Sequence, residues 1–176
     1  MRGPLRRAQQ SWRLRRCVAK SRLRSQRRAP DGPYRRSDRS QYAECATIVS
    51  IMRDIHEASA RHFIDLLKDR LGNKLHAVVL YGSVARGEAH ADSDVDLLVV
   101  SDPPPVPKLI DEVAYDIDFA AQFTTFLAPI ELSPEQMRDW LRRGDPFLER
   151  VLDEGKVLYD DGVIKDIRDR ILASRA

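Results

Sequence analysis

Long apolar runs are missing from this 176-residue sequence, in which no stretch approaches the roughly 20 residues that a membrane-spanning helix needs. No apolar segment follows its basic start, so we expect no secretory signal, no membrane association and a cytoplasmic location. Cysteine is scarce, and Cys17 and Cys45 by themselves form neither a disulfide framework nor a zinc site. Hydrophobic residues make up 43% of the chain, which permits a moderate core and excludes disorder throughout.

Acidic residues are nearly absent from the first forty positions, so the net charge of +3 describes the chain poorly. Residues 1–40 contain 14 Lys and Arg but only Asp31 and Asp38, a net charge of +12. The remainder contains 16 basic and 25 acidic residues, a net charge of −9. We therefore divide the sequence into an Arg-rich extension, residues 1–41, and a globular domain, residues 42–176.

The Arg-rich extension has no helical or strand period, and its like charges repel one another, so we expect it to be mostly disordered. One interpretation is a basic arm for the phosphates of RNA or DNA, with Trp12 and Tyr34 stacking on bases. Two aromatic residues are few for a surface that binds nucleic acid by stacking. We favour the other interpretation, a dispensable extension, which includes the case of a start codon placed too early.

The globular domain alternates helical and strand patterns. Apolar spacing predicts helices over 43–71 and 108–121, strands over 75–81 and 94–100, and a short helical turn over 83–88. A third strand is predicted at 124–132, then helices that begin at Ser133 and Asp145, an edge strand at 157–159 and a last helix over 163–174. This order predicts an α/β (α+β) fold with a small sheet.

Two aspartates, Asp94 and Asp96, stand at alternate positions where the second predicted strand begins. Side chains alternate between faces along a strand, so both carboxylates lie on one face and Val95 on the other. Neighbouring carboxylates repel each other, and a divalent cation relieves that repulsion. Because Mg²⁺ is typically held by one or two carboxylates together with substrate phosphates, the pair predicts a magnesium site.

Gly82 and Ser83 stand where the first strand turns into the short helical turn. A glycine there lets the backbone approach a ligand, and the amides of a helix start attract phosphate. Ser83 adds a hydroxyl and Arg86 a positive charge. Each half of the motif alone is compatible with an ordinary turn, but Gly-Ser, ten residues, then Asp-x-Asp arises by chance in on the order of one in several hundred such chains. The combination predicts nucleotidyl transfer, in which metal ions stabilise the attacking and leaving oxygens.

This pattern resembles the signature of the DNA polymerase beta-like nucleotidyltransferase superfamily. The fuller string, Gly-Ser-Val-Ala-Arg-Gly at 82–87 with Ser-Asp-Val-Asp-Leu-Leu-Val at 93–99, is similar to its minimal stand-alone members, the MNT proteins. The resemblance covers about residues 60–160. It implies a short mixed sheet packed by helices, with Gly82 and Ser83 on the triphosphate of ATP or another NTP and Asp94 and Asp96 on Mg²⁺. The implied reaction moves a nucleoside monophosphate to an acceptor hydroxyl with loss of pyrophosphate.

The resemblance also implies a protein acceptor, because the domain leaves no room for a large acceptor-binding domain. Some minimal members are antitoxins that silence HEPN-domain ribonucleases by adding AMP to a tyrosine, so a HEPN-domain toxin is one expected partner. Two alternatives stay open. The chain is a catalytically impaired module that masks a partner toxin sterically, or it is an RNA-associated nucleotidyltransferase that uses the Arg-rich extension.

A third acidic residue on the following strand is usual in active members of this superfamily, and the sequence departs from that pattern. Thr125 or Phe126 occupies the expected place, and Glu131 comes late on the strand. Asp118, on the preceding helix, is our first candidate for the third carboxylate. We therefore predict Asp94, Asp96 and Asp118 as the catalytic carboxylates.

Overall fold

The computed structural model describes residues 39–90, 93–103 and 108–175, and its side chains from residue 51 to residue 170 within these ranges, apart from 52 and 53. The chain divides into two units, Met1–Cys45 and Ala46–Ala176. Of the first unit, only the helical residues 39–45 are described. The expected disorder of the Arg-rich extension therefore lies outside the described residues, and the division at residue 41 stays a prediction.

Helices and strands alternate along the described residues in the predicted order. The helices are α1 (Arg39–Leu71), α2 (Gly82–Ala85), α3 (Leu109–Ala120), α4 (Pro134–Arg142), α5 (Pro146–Glu154) and α6 (Val163–Arg175). The strands are β1 (Leu75–Tyr81), β2 (Val95–Ser101), β3 (Leu127–Leu132) and β4 (Lys156–Asp160). A 3-10 turn, Gly72–Lys74, joins α1 to β1.

The four strands form one mixed sheet in the order β3-β2-β1-β4. Strand β1 pairs antiparallel with β2 and with β4, whereas β2 and β3 run parallel. The parallel pair is joined by α3, as a parallel connection requires a crossover. This arrangement confirms the expected fold class, a short mixed sheet packed by helices.

Both faces of the sheet are covered, which explains why β1 and β2 are almost continuously apolar. On one face, side chains of β1, β2 and β3 pack against α1, α2 and α3. On the other face, the alternate side chains pack against α4, α5 and α6. Each Val or Leu side chain that is fully buried in these two layers contributes about 1.5–3 kcal/mol to the free energy of folding.

Two predicted helix starts are confirmed by their caps. The Ser133 hydroxyl accepts a hydrogen bond from the Gln136 amide, and the Gln136 side chain accepts one from the Ser133 amide, at 3.1 and 2.9 Å. The Asp145 carboxylate accepts from the amides of Phe147 and Leu148. These caps satisfy amides that the first helical turn leaves without a carbonyl partner.

The predicted third strand was placed three residues too early, since β3 begins at Leu127 and not at Thr124. Gln122 and Phe123 have φ values of 51° and 56°, and this left-handed backbone turns the chain before β3. Along the described part of the chain, no helix has the length and apolar composition that would let it cross a membrane.

Candidate active site

The bend between β1 and α2 has a backbone that favours glycine. Gly82 has φ 76°, in the left-handed region that side chains with a Cβ rarely adopt. It begins the four-residue helix α2, and no side chain caps that helix at Tyr81. Ser83, half-buried, follows in the same turn, and its carbonyl accepts from the Glu88 amide at 2.9 Å. The bend therefore presents Gly82 and Ser83 side by side at one end of the sheet.

The carboxylate of Asp96 lies directly against this bend. Tyr81 and Asp96 are paired residues of the antiparallel strands β1 and β2. A Cβ on Gly82 would stand 3.2 Å from the Asp96 Cγ and would overlap one carboxylate oxygen. The structure therefore brings together the two halves of the motif, which are separated by ten residues in the sequence.

Asp94 reaches the same end of the sheet from the residue before β2. Val95 belongs to the core layer on the α1 side, so the alternation of a strand directs Asp94 and Asp96 to the opposite face. Asp94 is only 8% exposed. A turn precedes it, in which the Ser93 hydroxyl accepts from the His90 amide at 2.7 Å. Asp94 thus stands two residues before Asp96 at the end of the sheet where the bend lies, and the joint role of the two aspartates as a metal site stays a prediction.

The strand beside this pair carries no acidic residue at the matching level. Val95 pairs with Leu127 and Asp96 with Ala128, so Phe126 lies beside Asp94. Within the described ranges, no three Asp, Glu, His or Cys side chains form a group that could hold a metal ion. Of the two positions that the sequence offered for the third acid, Phe126 is the one that shares the face of the aspartate pair, because Thr125 contacts Ser59 of α1.

Asp118 lies in the last turn of α3, and its carboxylate binds the backbone of β3. Both of its oxygens accept from the Leu127 amide at 3.1 Å. The Phe126 carbonyl faces β2, where it accepts from the Val95 amide, so the Leu127 amide points to the outer edge of β3. Burial raises the pKa of Asp118 to about 7, although the hydrogen bond from Leu127 opposes that shift. Its role as a third catalytic carboxylate stays a prediction.

Arg86, predicted to contact phosphate, is exposed and lies between two acidic side chains. Its guanidinium donates to Glu88 at 2.9 Å and to Glu154 of α5 at 3.4 Å. The hydrogen bond and charge of Glu88, together with the charge of Glu154, raise the pKa of Arg86 above its usual value. Contact with phosphate would require Arg86 to exchange these partners, so this role also stays a prediction.

Tyr81 and Phe147 form an aromatic wall next to Asp96. Their rings meet edge to face, with centroids 5.4 Å apart. Burial, and after it the charge of Asp96, raises the pKa of the Tyr81 hydroxyl above its usual range, so the phenol stays neutral.

A comparison with protein families agrees with this geometry. Residues 60–167, more than half of the chain, match the family model of the nucleotidyltransferase domain. The chain belongs to this nucleotidyltransferase family. The match includes Gly82, Ser83, Asp94 and Asp96, and it confirms the resemblance that these residues indicated.

Two proteins of Methanocaldococcus jannaschii are similar to this nucleotidyltransferase, and both are named as candidate protein adenylyltransferases. MJ1305 is 33% identical over 114 residues, which cover 62% of this chain and 76% of MJ1305. MJ0604 is 28% identical over 107 residues, which cover 58% of this chain and 97% of MJ0604. The similarity thus spans most of each relative but leaves more than a third of the nucleotidyltransferase unmatched.

Two solved structures also resemble the nucleotidyltransferase. A toxin–antitoxin crystal structure with AMP-PNP is 22% identical, with 65% of this chain and 85% of that chain covered and a TM-score of 0.45. A complex of the tri-AMPylated HEPN toxin of Shewanella oneidensis with its MNT antitoxin is 18% identical, with 68% and 92% covered and a TM-score of 0.37. Because both TM-scores lie below 0.5, we draw no conclusion from these two likenesses.

Proposed function

We propose that this nucleotidyltransferase is Mg²⁺-dependent and moves AMP from ATP to a hydroxyl of a partner protein. The observation that carries the proposal is the close approach of the Gly82 backbone to the Asp96 carboxylate, and we expect Asp94, two residues earlier, on the same face. Protein as the acceptor and AMP as the transferred group are supported by the two similar proteins of Methanocaldococcus jannaschii, which are named as candidate protein adenylyltransferases.

The donor set fits Mg²⁺, because Asp94 and Asp96 offer carboxylate oxygens on one face and leave coordination positions for phosphate and water. Those two residues would hold the ion. Once bound, it would neutralise charge on the reacting phosphate and on the leaving pyrophosphate. Gly82 leaves the space beside Asp96 that a methyl group would fill, and we propose that the backbone amides of the bend and the Ser83 hydroxyl bind the triphosphate.

The transfer itself requires an acceptor oxygen in line with the bond that breaks. The hydroxyl oxygen forms a bond to the α-phosphorus, the bond from that phosphorus to the pyrophosphate oxygen breaks, and the hydroxyl proton leaves. Phe126 and Ala128 occupy the neighbouring strand beside the aspartate pair, and neither accepts a proton. We therefore propose that the proton passes to Asp118, to a group on the acceptor or to water. The Asp118→Asn variant distinguishes Asp118 from the other two.

The test is transfer of label from ATP radiolabelled at the α-phosphate, in the presence of Mg²⁺, to a candidate acceptor such as a HEPN-domain toxin. We expect label on the acceptor that survives denaturation, and loss of label when EDTA removes the metal. The Asp94→Asn plus Asp96→Asn variant should lose the label and keep its circular dichroism spectrum. Asp153→Asn, an exposed acid on α5, is the matched control and should label as the wild type does.

Full labelling by the double variant would contradict the assignment of the aspartate pair. Binding supplies a second readout, since ATP with Mg²⁺ should raise the melting temperature of the wild-type protein and not that of the double variant.

A second function is favoured by the missing acid beside the pair, namely a module that binds and masks a toxin without modifying it. In that case a tight complex with the toxin would form without ATP, no label would appear, and the Asp94→Asn plus Asp96→Asn variant would neutralise the toxin as well as the wild type does. Toxin activity measured with and without ATP separates the two functions.

A further inference from the structure

Four aromatic side chains form a continuous ladder from the surface of α3 to the start of β3. The aromatic ladder consists of Tyr115, Phe119, Phe123 and Phe126. The ring centroids of Tyr115 and Phe119 are 6.2 Å apart, Phe123 lies 6.0 and 6.2 Å from those two rings, and Phe126 lies 5.9 Å from Phe123. Tyr115 is 58% exposed and Phe119 64% exposed, although both have apolar rings. Such clustered exposure marks an interaction surface.

The backbone under the aromatic ladder is strained. Gln122 and Phe123 both have left-handed φ values, which residues with a Cβ rarely adopt. The turn is closed by the Phe123 amide, which donates to the Asp118 carbonyl at 2.7 Å, and by the Thr124 hydroxyl, which donates to the Ala121 carbonyl at 2.8 Å. The strain places the Phe123 ring between α3 and Phe126, which keeps the ladder continuous.

The aromatic ladder ends at the aspartate pair. The pairing of Val95 with Leu127 puts Phe126, the residue before β3, beside Asp94, the residue before β2. A molecule that lies on the ladder therefore extends to the site at which transfer would occur. The surface is continuous with the proposed active site and is not an isolated apolar patch.

Acidic side chains surround the aromatic ladder. Between Lys108 and Arg138 the sequence contains no Lys, Arg or His and six acidic residues. Asp111, Glu112 and Asp116 are exposed on α3, three or four positions from a ladder residue, which places them next to the rings on the helix surface. This acidic rim repels phosphate groups and attracts basic side chains.

We propose that the aromatic ladder is the docking surface for the acceptor polypeptide, and that the docked segment carries basic side chains around an apolar centre; the proposal rests on the proposed transfer to protein. The aromatic rings supply apolar contact area of the kind that dominates protein interfaces, and the acidic rim selects the partner. Nucleic acid is disfavoured because the same rim repels its backbone.

Two synthetic 15-residue peptides test the proposal with the full chain. Each contains one tyrosine between leucines, and the outer positions carry either six arginines or six glutamates. At low salt, we expect fluorescence anisotropy to show the basic peptide binding at least about tenfold tighter than the acidic one. The Tyr115→Ala plus Phe119→Ala variant should weaken binding of the basic peptide by about tenfold, since two exposed rings are lost. Val157→Ala, an exposed apolar residue on β4 at the other edge of the sheet, should bind as the wild type does.

A charge reversal completes the test. Glu112→Lys plus Asp116→Lys should weaken the basic peptide and strengthen the acidic one, whereas Asp153→Lys on α5 should change neither. Equal binding of the two peptides, or wild-type binding by the ring variant, overturns the proposal. Weakened ATP binding by the ring variant would indicate that the adenine of ATP stacks on the ladder. That result would also overturn the proposal. Binding of the basic peptide only after residues 1–38 are removed would assign the surface to the chain's own extension.

Labelling of the peptide separates this proposal from the proposed function. A basic peptide that binds through the rings but takes no label refutes transfer to this acceptor class and leaves the docking surface standing. A peptide that is labelled equally by the wild type and the ring variant supports transfer and refutes the docking surface.

Discussion

At the residue scale, Gly82 and Gly87 have nearly the same backbone φ, so comparing their alanine variants distinguishes the cost of that backbone angle from the effect of the contact with Asp96. Gly82 has φ 76° and Gly87 has φ 73°, but only Gly82 has the Asp96 carboxylate where a Cβ would stand. We expect Gly87→Ala to lower the free energy of unfolding by about 1–2 kcal/mol, the cost of a left-handed alanine. Gly82→Ala should lose about 1–3 kcal/mol more through overlap with Asp96, and it should abolish AMP transfer.

Urea unfolding and the labelling assay check this pair of variants. Equal stability of the two alanine variants would show that the Asp96 carboxylate moves aside without cost. The close approach of the Gly82 backbone to the Asp96 carboxylate would then no longer support the proposed function.

At the same scale, the buried side chain of His56 leads to a prediction about how stability depends on pH. It is fully buried in α1, neither ring nitrogen has a hydrogen-bond partner, and burial lowers the pKa of the imidazole. A folded-state pKa below the unfolded value of about 6.5 means that the unfolded chain binds the proton more readily, so the contribution of His56 to stability should fall as the pH drops below about 6.5. We expect His56→Leu to flatten that fall and to be neutral or stabilising at pH 8, because it removes unsatisfied polar atoms.

Urea unfolding at pH 8 and at pH 5.5 measures the effect of the His56 substitution. His62→Leu, exposed on the same helix, is the control and should retain the acid sensitivity. An unchanged pH profile in the His56 variant would contradict the assignment.

Sequence spacing predicts the aspartate pair but not the partners of Arg86. Positions two apart on a strand share a face, so local geometry leads us to expect Asp94 and Asp96 as neighbours. Glu154, which accepts from Arg86, stands 68 residues away in the sequence, and no local spacing encodes that contact. The exposed rings of Tyr115 and Phe119 were not predicted, although their spacing of four residues, opposite the apolar face of α3, is present in the sequence.

At the element scale, Asp118 joins the end of α3 to the edge of β3. Asp118→Asn keeps an oxygen for the Leu127 amide, whereas Asp118→Ala leaves that amide without an acceptor and should cost about 1–3 kcal/mol. Because the pKa of about 7 is raised above the usual aspartate value, the folded state holds the proton more tightly, and the contribution of Asp118 to stability should fall as the pH rises from about 4 to about 7. The Asn variant should lose this dependence.

The same variant decides between anchoring and catalysis. If Asp118 takes the acceptor proton, Asp118→Asn loses AMP transfer while its fold persists. If the carboxylate only anchors β3, Asp118→Asn retains transfer. Labelling rates and urea midpoints, measured together between pH 5 and pH 8, distinguish the two roles.

A helix cap supplies a prediction that is independent of the site. Ser133 and Gln136 exchange hydrogen bonds at the start of α4, so Ser133→Ala should lower the free energy of unfolding by about 1 kcal/mol. Because Met137 of α4 packs in the same buried layer of the sheet as Leu132 of β3, the loss should appear in global unfolding. Thermal melts measure it, and AMP transfer below the melting temperature should be unaffected.

Elements with strong local signals were predicted well, and the start of β3 was not. Capping residues and apolar periods locate α4, α5 and the two central strands without knowledge of the fold. The turn before β3 has Gln122 and Phe123 at positive φ and contains no glycine, so its sequence lacks the residue type that usually indicates such a turn. The order of the strands in the sheet also depends on contacts between distant segments, which periodicity does not encode.

At the scale of the whole molecule, the charge is divided between segments of opposite sign. Residues 1–40 carry a net charge of +12 and the remainder −9. A chain with such a basic segment binds polyanions in a salt-dependent way, whereas the acidic remainder repels them. RNA binding and protein modification are therefore expected to reside in different parts of the chain.

Deletion of residues 1–38 tests that separation. The described helix α1 begins at Arg39, so the deletion leaves every described element in place. We expect AMP transfer to a protein acceptor to change by less than about twofold and the urea midpoint to stay constant, while any affinity of the full chain for a 20-nucleotide RNA disappears. Filter binding of labelled RNA at two salt concentrations and the labelling assay provide the measurements. Transfer of AMP to the RNA itself, lost on deletion, would instead support an RNA-associated enzyme, because only the basic segment can hold that acceptor against the acidic remainder.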